Sequence, residues 1–233
     1  MSKTSDLGLL FLHALPLDGS MWANQMDILP GHSHAPTLYP FGATLTDWAV
    51  KALALVEEQR LIVVGCSVGG SCALEVAQLA PDRVAALVLI GTKPKHRPEP
   101  ALRDEAFALI ANEGLYATWD KYWAPLFSED TDTSTVQSAR DIMLSLSEDD
   151  ISSGVSVFHS RESRDRFAAK SDIPITVVTG EHDVAPGVAV SRELATAARF
   201  GTLHVIPHCG HYVSLEQPQR LREILSEVVA IHA

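Results

Sequence analysis

Cysteine is scarce in this chain, and the few that occur do not form a disulfide framework. The three cysteines are Cys66, Cys72 and Cys209, and an odd, sparse set is not the pattern of a small disulfide-stabilised domain. Disulfides persist mainly in oxidising compartments. We therefore expect reduced thiols and a cytoplasmic location.

Long apolar runs are also missing. The first apolar run, residues 7–12, is too short for the core of a signal peptide and is bounded by Asp6 and His13. No stretch approaches the roughly 20 apolar residues of a membrane-spanning helix. The sequence therefore predicts a protein without a membrane partner.

Basic residues are outnumbered by acidic ones. The chain has 18 Lys and Arg against 29 Asp and Glu, which gives a formal net charge of -11. The negative electrostatic field of such a chain opposes binding to nucleic acid or to an anionic membrane over a broad surface. It does not exclude a small anionic substrate, because a local arginine can outweigh a distant field.

Short apolar segments alternate with segments of helical period along most of the 233 residues. This alternation predicts an α/β protein with a mostly parallel sheet of about six strands and helices on both faces. The strands are expected at 7–12, 35–39, 61–64, 84–90, 175–178 and 203–206. The helices are expected at 20–29, 46–59, 71–79, 186–198 and 219–231.

The alternation stops between residues 93 and 170, where apolar residues recur only at the spacing of helices. Helices are expected there at 102–111, 115–127, 135–146 and 151–159. The stretch is too long for a simple crossover between strands. We predict a core of residues 1–92 and 171–233, with residues 93–170 inserted as a helical cap over the carboxyl edge of the sheet.

A candidate nucleophile lies in Gly65-Cys66-Ser67-Val68-Gly69, between a predicted strand and a predicted helix. This G-x-S-x-G pattern is typical of a sharp turn that lifts the serine above the sheet edge. The small residues on either side let the backbone approach, and the helix N-terminus favours negative charge. The alternative to a nucleophile is that Ser67 is only a small residue in a tightly packed crossover turn.

A serine nucleophile needs a base and an acid that orients the base. His211 follows the last predicted strand and is the candidate base, with His208 as its nearest rival. These residues and His204 do not have the spacing of a metal site, so we expect no metal.

Asp183 follows the predicted strand at 175–178 and is the candidate acid. Its neighbours Glu181 and His182 are rivals for the role. A purely structural alternative for Asp183 is to cap the helix that starts near Pro186.

Two backbone N–H groups are the candidate oxyanion donors, at Val68 after the serine and at Leu15 after the first strand. His13 is expected to hold this loop by hydrogen bonds. Aromatic residues supply the candidates for binding substrate, although packing within the fold is an equal alternative for them. They are Trp22, Trp119, Tyr122, Trp123 and Phe158.

The cap also has three arginines in FHSRESRDRF, namely Arg161, Arg164 and Arg166. An anionic substrate would call for such an arginine. Because Glu162 and Asp165 alternate with them, we interpret the segment as solvated surface.

Four segments together resemble the α/β-hydrolase superfamily: FLHALPLDGSMW, VVGCSVGGSCALEVA, PITVVTGEHD and GHYVSLEQP. Within it the chain is most similar to small bacterial esterases and lactonases of the 3-oxoadipate enol-lactonase type. Carbon–carbon bond hydrolases and menaquinone-pathway lyases are similar too. The chain departs from the superfamily in three ways: its first two strands are absent, His13-Ala14 replaces His-Gly, and YPFGATLTDW replaces a Gly- and Arg-rich turn.

The resemblance and the residues imply a serine hydrolase with the triad Ser67, Asp183 and His211. We expect it to cleave a small carboxylic ester or lactone through an acyl-enzyme, without cofactor or metal. Two alternatives stay open. One is a carbon–carbon bond hydrolase or lyase with the same triad, and the other is a non-enzymatic ligand receptor.

Overall fold

The computed structural model describes residues 6–233, and a six-stranded parallel sheet runs through its centre. The strand order is β2-β1-β3-β4-β5-β6, and every neighbouring pair is parallel. This confirms the predicted fold class. The strands are β1 Leu7–Leu12, β2 Ser33–His34, β3 Arg60–Cys66, β4 Val84–Ile90, β5 Ile175–Gly180 and β6 Gly201–Ile206.

Helices cover the sheet and connect its strands. Those outside the β4–β5 connection are α1 Leu45–Ala54, α2 Val68–Leu79, α7 Gly187–Ala197, α8 Val213–Glu216 and α9 Pro218–His232. The four inner strands β1, β3, β4 and β5 are almost wholly buried. Burial on both faces is why their sequences are continuous apolar runs.

The connection between β4 and β5 is helical. It contains α3 Pro100–Tyr122, α4 Thr133–Leu144, α5 Glu148–Ser160 and α6 Asp165–Lys170. Helix α3 is bent at Gly114, whose φ of 78° is outside the helical range. The bend lies between the predicted helices at 102–111 and 115–127. The division into core and cap at residues 93 and 170 stays a prediction.

Two predicted elements near the N-terminus are wrong. Residues 20–29 form a 3-10 turn at Gly19–Trp22 and further tight turns in place of a helix. The Asp18 carboxylate caps the 3-10 turn by accepting from the N–H and hydroxyl of Ser20. The backbone N–H groups that follow donate to carbonyls three residues back, from Met21 to Asp18 and from Gln25 to Trp22, which is the 3-10 pattern and not the α-helical one. The second strand is two residues long and ends before Pro36, which has no N–H for the ladder.

The ends of the other helices shift by a few residues. Helix α1 begins earlier than predicted because Thr44 caps it, in a capping box with Asp47. Helix α2 starts directly after Ser67. In the described part of the chain, no helix is both long and apolar enough to cross a membrane.

Candidate active site

Ser67 occupies the sharp turn between β3 and α2. Its φ of 56° and ψ of -116° place a non-glycine residue in the left-handed region, which is strained. The turn needs glycine on both sides. A Cβ on Gly65 would lie 2.3 Å from the Gly69 carbonyl oxygen, and a Cβ on Gly69 would lie 2.1 Å from the Leu12 carbonyl oxygen. The spacing of G-x-S-x-G therefore has a direct steric reason.

His211 and Asp183 form a buried pair. The Nδ1 atom of His211 lies 3.1 Å from Oδ1 and 3.2 Å from Oδ2 of Asp183. The exposed fractions of the two side chains are 2% and 0%. A carboxylate only accepts hydrogen bonds, so this contact places a proton on Nδ1 and leaves Nε2 as the basic atom of a neutral ring.

The Asp183 carboxylate is stabilised in its ionised form. Burial on its own would raise the pKa of Asp183, but the hydrogen bond and charge of His211 lower it below the usual value. The N–H of Ala185 donates to Oδ1 at 2.8 Å, and the Thr179 hydroxyl lies 3.4 Å from Oδ2. The acid therefore stays charged and is oriented by the end of β5 and by the loop that follows it.

Ser67 and His211 line one cavity of about 600 Å³. It lies at the carboxyl edge of the sheet, where open α/β sheets place their sites. Within residues 6–233 no hydrogen bond joins the Ser67 hydroxyl to the His211 ring. In ligand-free sites this contact is often long and shortens when substrate binds.

Two backbone groups near Ser67 fit an oxyanion site. Val68 is the first residue of α2, so its N–H has no acceptor inside the helix. The N–H of Leu15 has no acceptor among residues 6–233, whereas that of Ala14 points to the Met21 sulfur at 3.3 Å. The Tyr212 hydroxyl donates to the Leu15 carbonyl at 3.2 Å, which fixes the loop.

His13 holds the same loop from its other side. Its Nε2 accepts the Leu38 N–H at 2.9 Å, and its Nδ1 lies 3.1 Å from the Ala14 carbonyl oxygen. Burial lowers the pKa of His13 to about 4, so the ring is neutral at pH 7. It is not among the residues that line the cavity in the described structure.

The rival histidines lie elsewhere. His208 is exposed and its Nδ1 lies 2.8 Å from Asp130, while Nδ1 of His182 lies 2.7 Å from the Ser128 hydroxyl. His204 is on the edge strand β6. Among the described residues, no group of three or more His, Cys, Asp or Glu side chains is arranged to hold a metal.

The aromatic candidates divide into two groups. Tyr122, Trp123 and Phe158 line the cavity. Trp22 and Trp119 do not, and the interpretation of these two as substrate-binding residues is corrected. Both are 1% exposed or less. Trp22 packs on Phe11 with ring centroids 5.2 Å apart, and Trp119 packs on Phe127 at 5.9 Å.

The interpretation of FHSRESRDRF as solvated surface is also wrong for two of its three arginines. Arg161 lines the cavity. Arg164 donates to the buried Glu75 at 2.7 Å, and Arg166 is the exposed one. Alternating charge indicated solvent, but Arg161 lies at the cavity and Arg164 at helix α2.

One residue near the site gave no signal in the sequence. Glu216 accepts from the N–H groups of Gly210 and Tyr212, at 2.8 and 2.9 Å, on both sides of His211. It also accepts from the Ser128 N–H at 2.9 Å and the Thr131 hydroxyl at 2.6 Å. A single carboxylate thus joins the His211 loop to the connection before α4.

Residues 9–224 match the alpha/beta hydrolase family, and the chain belongs to that family. Among curated proteins it is similar to a pimeloyl-(acyl-carrier protein) methyl ester esterase of Aromatoleum aromaticum. The two are 29% identical over 219 residues, which cover 86% of this chain and 85% of the relative. A 2-succinyl-6-hydroxy-2,4-cyclohexadiene-1-carboxylate synthase of an Enterobacter species is 25% identical over 245 residues, covering 96% and 92%.

Solved structures share the fold at lower identity. An esterase of Thermogutta terrifontis superposes with a TM-score of 0.88 at 22% identity, covering 97% of this chain and 91% of that one. An enol-lactonase of Burkholderia xenovorans superposes with a TM-score of 0.84 at 20% identity, covering 99% and 94%. These solved structures show the fold, and the family match together with the curated esterase supports a hydrolase of the α/β-hydrolase type.

Proposed function

We propose that the protein is a serine hydrolase that cleaves a small carboxylic ester or lactone through an acyl-enzyme. One observation carries the proposal. Ser67, held in a strained strand-to-helix turn, lines the same cavity as His211, whose Nδ1 lies 3.1 Å from the buried Asp183 carboxylate. The similarity to an esterase of Aromatoleum aromaticum supports the same reaction class.

In the first half of the reaction, Oγ of Ser67 attacks the substrate carbonyl carbon as Nε2 of His211 takes the hydroxyl proton. Asp183 holds the ring tautomer and stabilises its positive charge. The carbonyl oxygen becomes an oxyanion bound by the N–H groups of Leu15 and Val68, each worth on the order of 3 kcal/mol. The carbon–oxygen bond of the ester then breaks, and the proton passes from His211 to the leaving alcohol oxygen.

In the second half, water attacks the acyl group on Ser67 while Nε2 of His211 takes a proton from the water. Collapse of this second oxyanion breaks the bond to Oγ, which regains its proton from His211. The products are the free acid and the unmodified enzyme. Every step uses groups of this chain and water.

Activity assays on matched serine variants test the proposal. Ser67→Ala should abolish hydrolysis across a panel of esters and lactones. Ser191→Ala is the control, because Ser191 is a buried serine with no hydrogen-bond partner in the described chain, and it should keep full activity. Asp183→Asn should lower kcat by about 10³- to 10⁴-fold without unfolding, because an amide favours the wrong ring tautomer. Full activity in Ser67→Ala would contradict the assignment.

A lyase or carbon–carbon bond hydrolase with the same triad is the second candidate. The similarity to the Enterobacter synthase favours it. It would require Ser67 to act on a carbonyl compound that contains no ester bond. Turnover of β-diketones with no turnover of any ester would establish this candidate in place of the esterase. Binding of ligands without turnover would instead indicate a receptor.

A further inference from the structure

An arginine without an acidic partner lies in the wall of the cavity. Arg161 follows the last residue of α5, is half-buried, and lines the cavity together with Ser67 and His211. Within residues 6–233, no carboxylate oxygen lies within 4.0 Å of its guanidinium nitrogens. A half-buried cation without an anion is unfavourable unless a ligand supplies the anion.

Three contacts hold the guanidinium in place. Its Nε donates to Nε2 of His96 at 3.0 Å, and one terminal nitrogen donates to the Phe158 carbonyl. Its central carbon lies 3.6 Å from the centroid of the Phe158 ring. The side chain is therefore ordered before any ligand arrives, which lowers the entropy lost on binding.

The same contacts leave donors free for a ligand. A guanidinium has five N–H groups in a planar fork, and the two bonds above use two of them. The remaining three have no acceptor in the described chain. Burial, more than any other effect, lowers the pKa of Arg161 to about 9, which leaves it charged at neutral pH.

His96 supports this arrangement as a neutral acceptor. Burial, with the charges of Arg161 and Lys93, lowers the pKa of His96 to about 3. The ring therefore carries no charge at pH 7, and its Nε2 lone pair can accept the Arg161 proton. His96 orients the arginine without neutralising it.

The cavity wall has two cations and two carboxylates, and one of the carboxylates is already paired with a lysine that does not line the cavity. Arg161 and Lys93 both line it, and so do Glu99 and Glu105. The Glu105 carboxylate is already paired with Lys121 at 2.8 Å. Glu99 acts on Arg161 only through space and makes no ion pair with it. The wall can therefore accept one more negative group.

We propose that Arg161 binds a carboxylate of the substrate, so that the preferred substrates are esters or lactones with a free carboxylate on the acyl chain. This inference rests on the proposed function, because it names the substrate class of the same site. The planar fork of free N–H groups matches two carboxylate oxygens at once. Recognition of this kind orients the ester end of the substrate towards Ser67.

Paired substrates test the proposal. The monomethyl esters of straight-chain dicarboxylic acids, from succinate to pimelate, are compared with analogues that have a carboxamide in place of the free carboxylate. At the best chain length, kcat/KM should be about 10- to 100-fold higher for the carboxylate substrate than for its carboxamide analogue. This is the factor that corresponds to the free energy of one hydrogen bond to a charged group. Arg161→Gln should abolish this preference by raising the KM of the carboxylate substrates. It should change kcat/KM of the carboxamide substrates by no more than about twofold.

Arg166→Gln is the matched control, because it removes the same charge from an exposed site five residues away. It should leave the preference unchanged. Equal kcat/KM for carboxylate and carboxamide substrates at every chain length in the wild type would overturn the proposal. An equal loss on both substrate classes in Arg161→Gln would overturn it too.

Binding without turnover separates this proposal from the proposed function. Titration calorimetry on Ser67→Ala compares each free dicarboxylate with its monoamide. Tighter binding of the dicarboxylate, lost when Arg161→Met or Arg161→Gln is added, supports the anion site even if no ester is hydrolysed. Equal binding of the two ligands overturns it even if esters are hydrolysed. Two arginine variants are used so that poor folding of one leaves the test intact.

Discussion

Single residues decide the geometry of the candidate site, and Gly91 is the sharpest case. It follows β4, has a φ of 52°, and faces the paired side chains of His211 and Asp183. A Cβ there would lie 2.7 Å from two atoms of the His211 ring and 3.1 Å from Asp183 Oδ2. These separations are shorter than van der Waals contact, so any side chain at this position displaces the pair.

Gly91→Ala should therefore lower kcat on the order of 100-fold, the effect of displacing a reacting group by about 1 Å. It should also destabilise the fold by about 1 kcal/mol or more, because alanine is strained at positive φ. Gly31→Ala separates the two effects. Gly31 has a φ of 79°, and a Cβ there meets no described atom within 4 Å.

Steady-state kinetics and urea denaturation of both variants check this prediction. Gly31→Ala should show the destabilisation and keep normal kcat. Equal kcat for Gly91→Ala and the wild type would show that the contact with His211 has no catalytic consequence.

At this scale the sequence pointed to Ser67, Asp183 and His211 as candidates, because each follows a strand that it predicted. It was not informative about which aromatic and charged side chains reach the cavity. Trp119 and Trp123 have the same residue type and nearly the same place on the chain, yet only Trp123 lines the cavity. That difference depends on how α3 packs, which residue spacing alone does not specify.

At the scale of elements, Glu216 connects the His211 loop to the segment before α4. Its carboxylate has four hydrogen-bond donors, two beside His211 and two from Ser128 and Thr131. A neutral amide has one oxygen in place of two, so Glu216→Gln leaves donors on one side without an acceptor. Unsatisfied groups of this kind cost about 1–3 kcal/mol.

Glu216→Gln should lower the free energy of unfolding by about 2 kcal/mol and kcat by about tenfold or more, with KM less affected. Glu223→Gln is the control, because Glu223 pairs with Arg220 on the exposed side of α9. The free energy of unfolding of Glu223→Gln should stay within about 0.5 kcal/mol of the wild-type value. Denaturation and kinetics that do not distinguish the two variants would contradict the role of Glu216 in positioning His211.

The four inner strands were predictable because continuous apolar runs such as β4 have few alternatives to a buried parallel strand. The helices of the β4–β5 connection followed from their period, except that the two predicted helices at 102–111 and 115–127 form one helix bent at Gly114. The segment at residues 20–29 was not predictable in this way. Its backbone hydrogen bonds run to carbonyls three residues back, and residue spacing does not separate such consecutive tight turns from an α-helix.

At the scale of the whole molecule, a buried ion pair joins the β4–β5 connection to the sheet layer. Arg164 donates to Glu75 of α2 at 2.7 Å, and the other Glu75 oxygen accepts from the Thr46 hydroxyl at 2.7 Å. The Glu75 side chain is 4% exposed. Removing only the arginine would leave this carboxylate buried without its cation.

Arg164→Met should therefore lower the free energy of unfolding by about 3 kcal/mol, whereas the double variant Arg164→Met, Glu75→Met should recover most of that loss. Chemical denaturation of both single variants and the double variant gives the coupling between them. Strictly additive effects would contradict the claim that the pair acts as a unit.

The most direct test of the central claim is to find where a serine-directed reagent attaches. A fluorophosphonate should form one covalent adduct per chain, and peptide mass spectrometry should place it on Ser67. Labelling should be lost in Ser67→Ala, kept in Ser191→Ala, and slowed in Asp183→Asn. An adduct on another residue, or labelling of Ser67→Ala at the wild-type rate, would contradict Ser67 as the nucleophile.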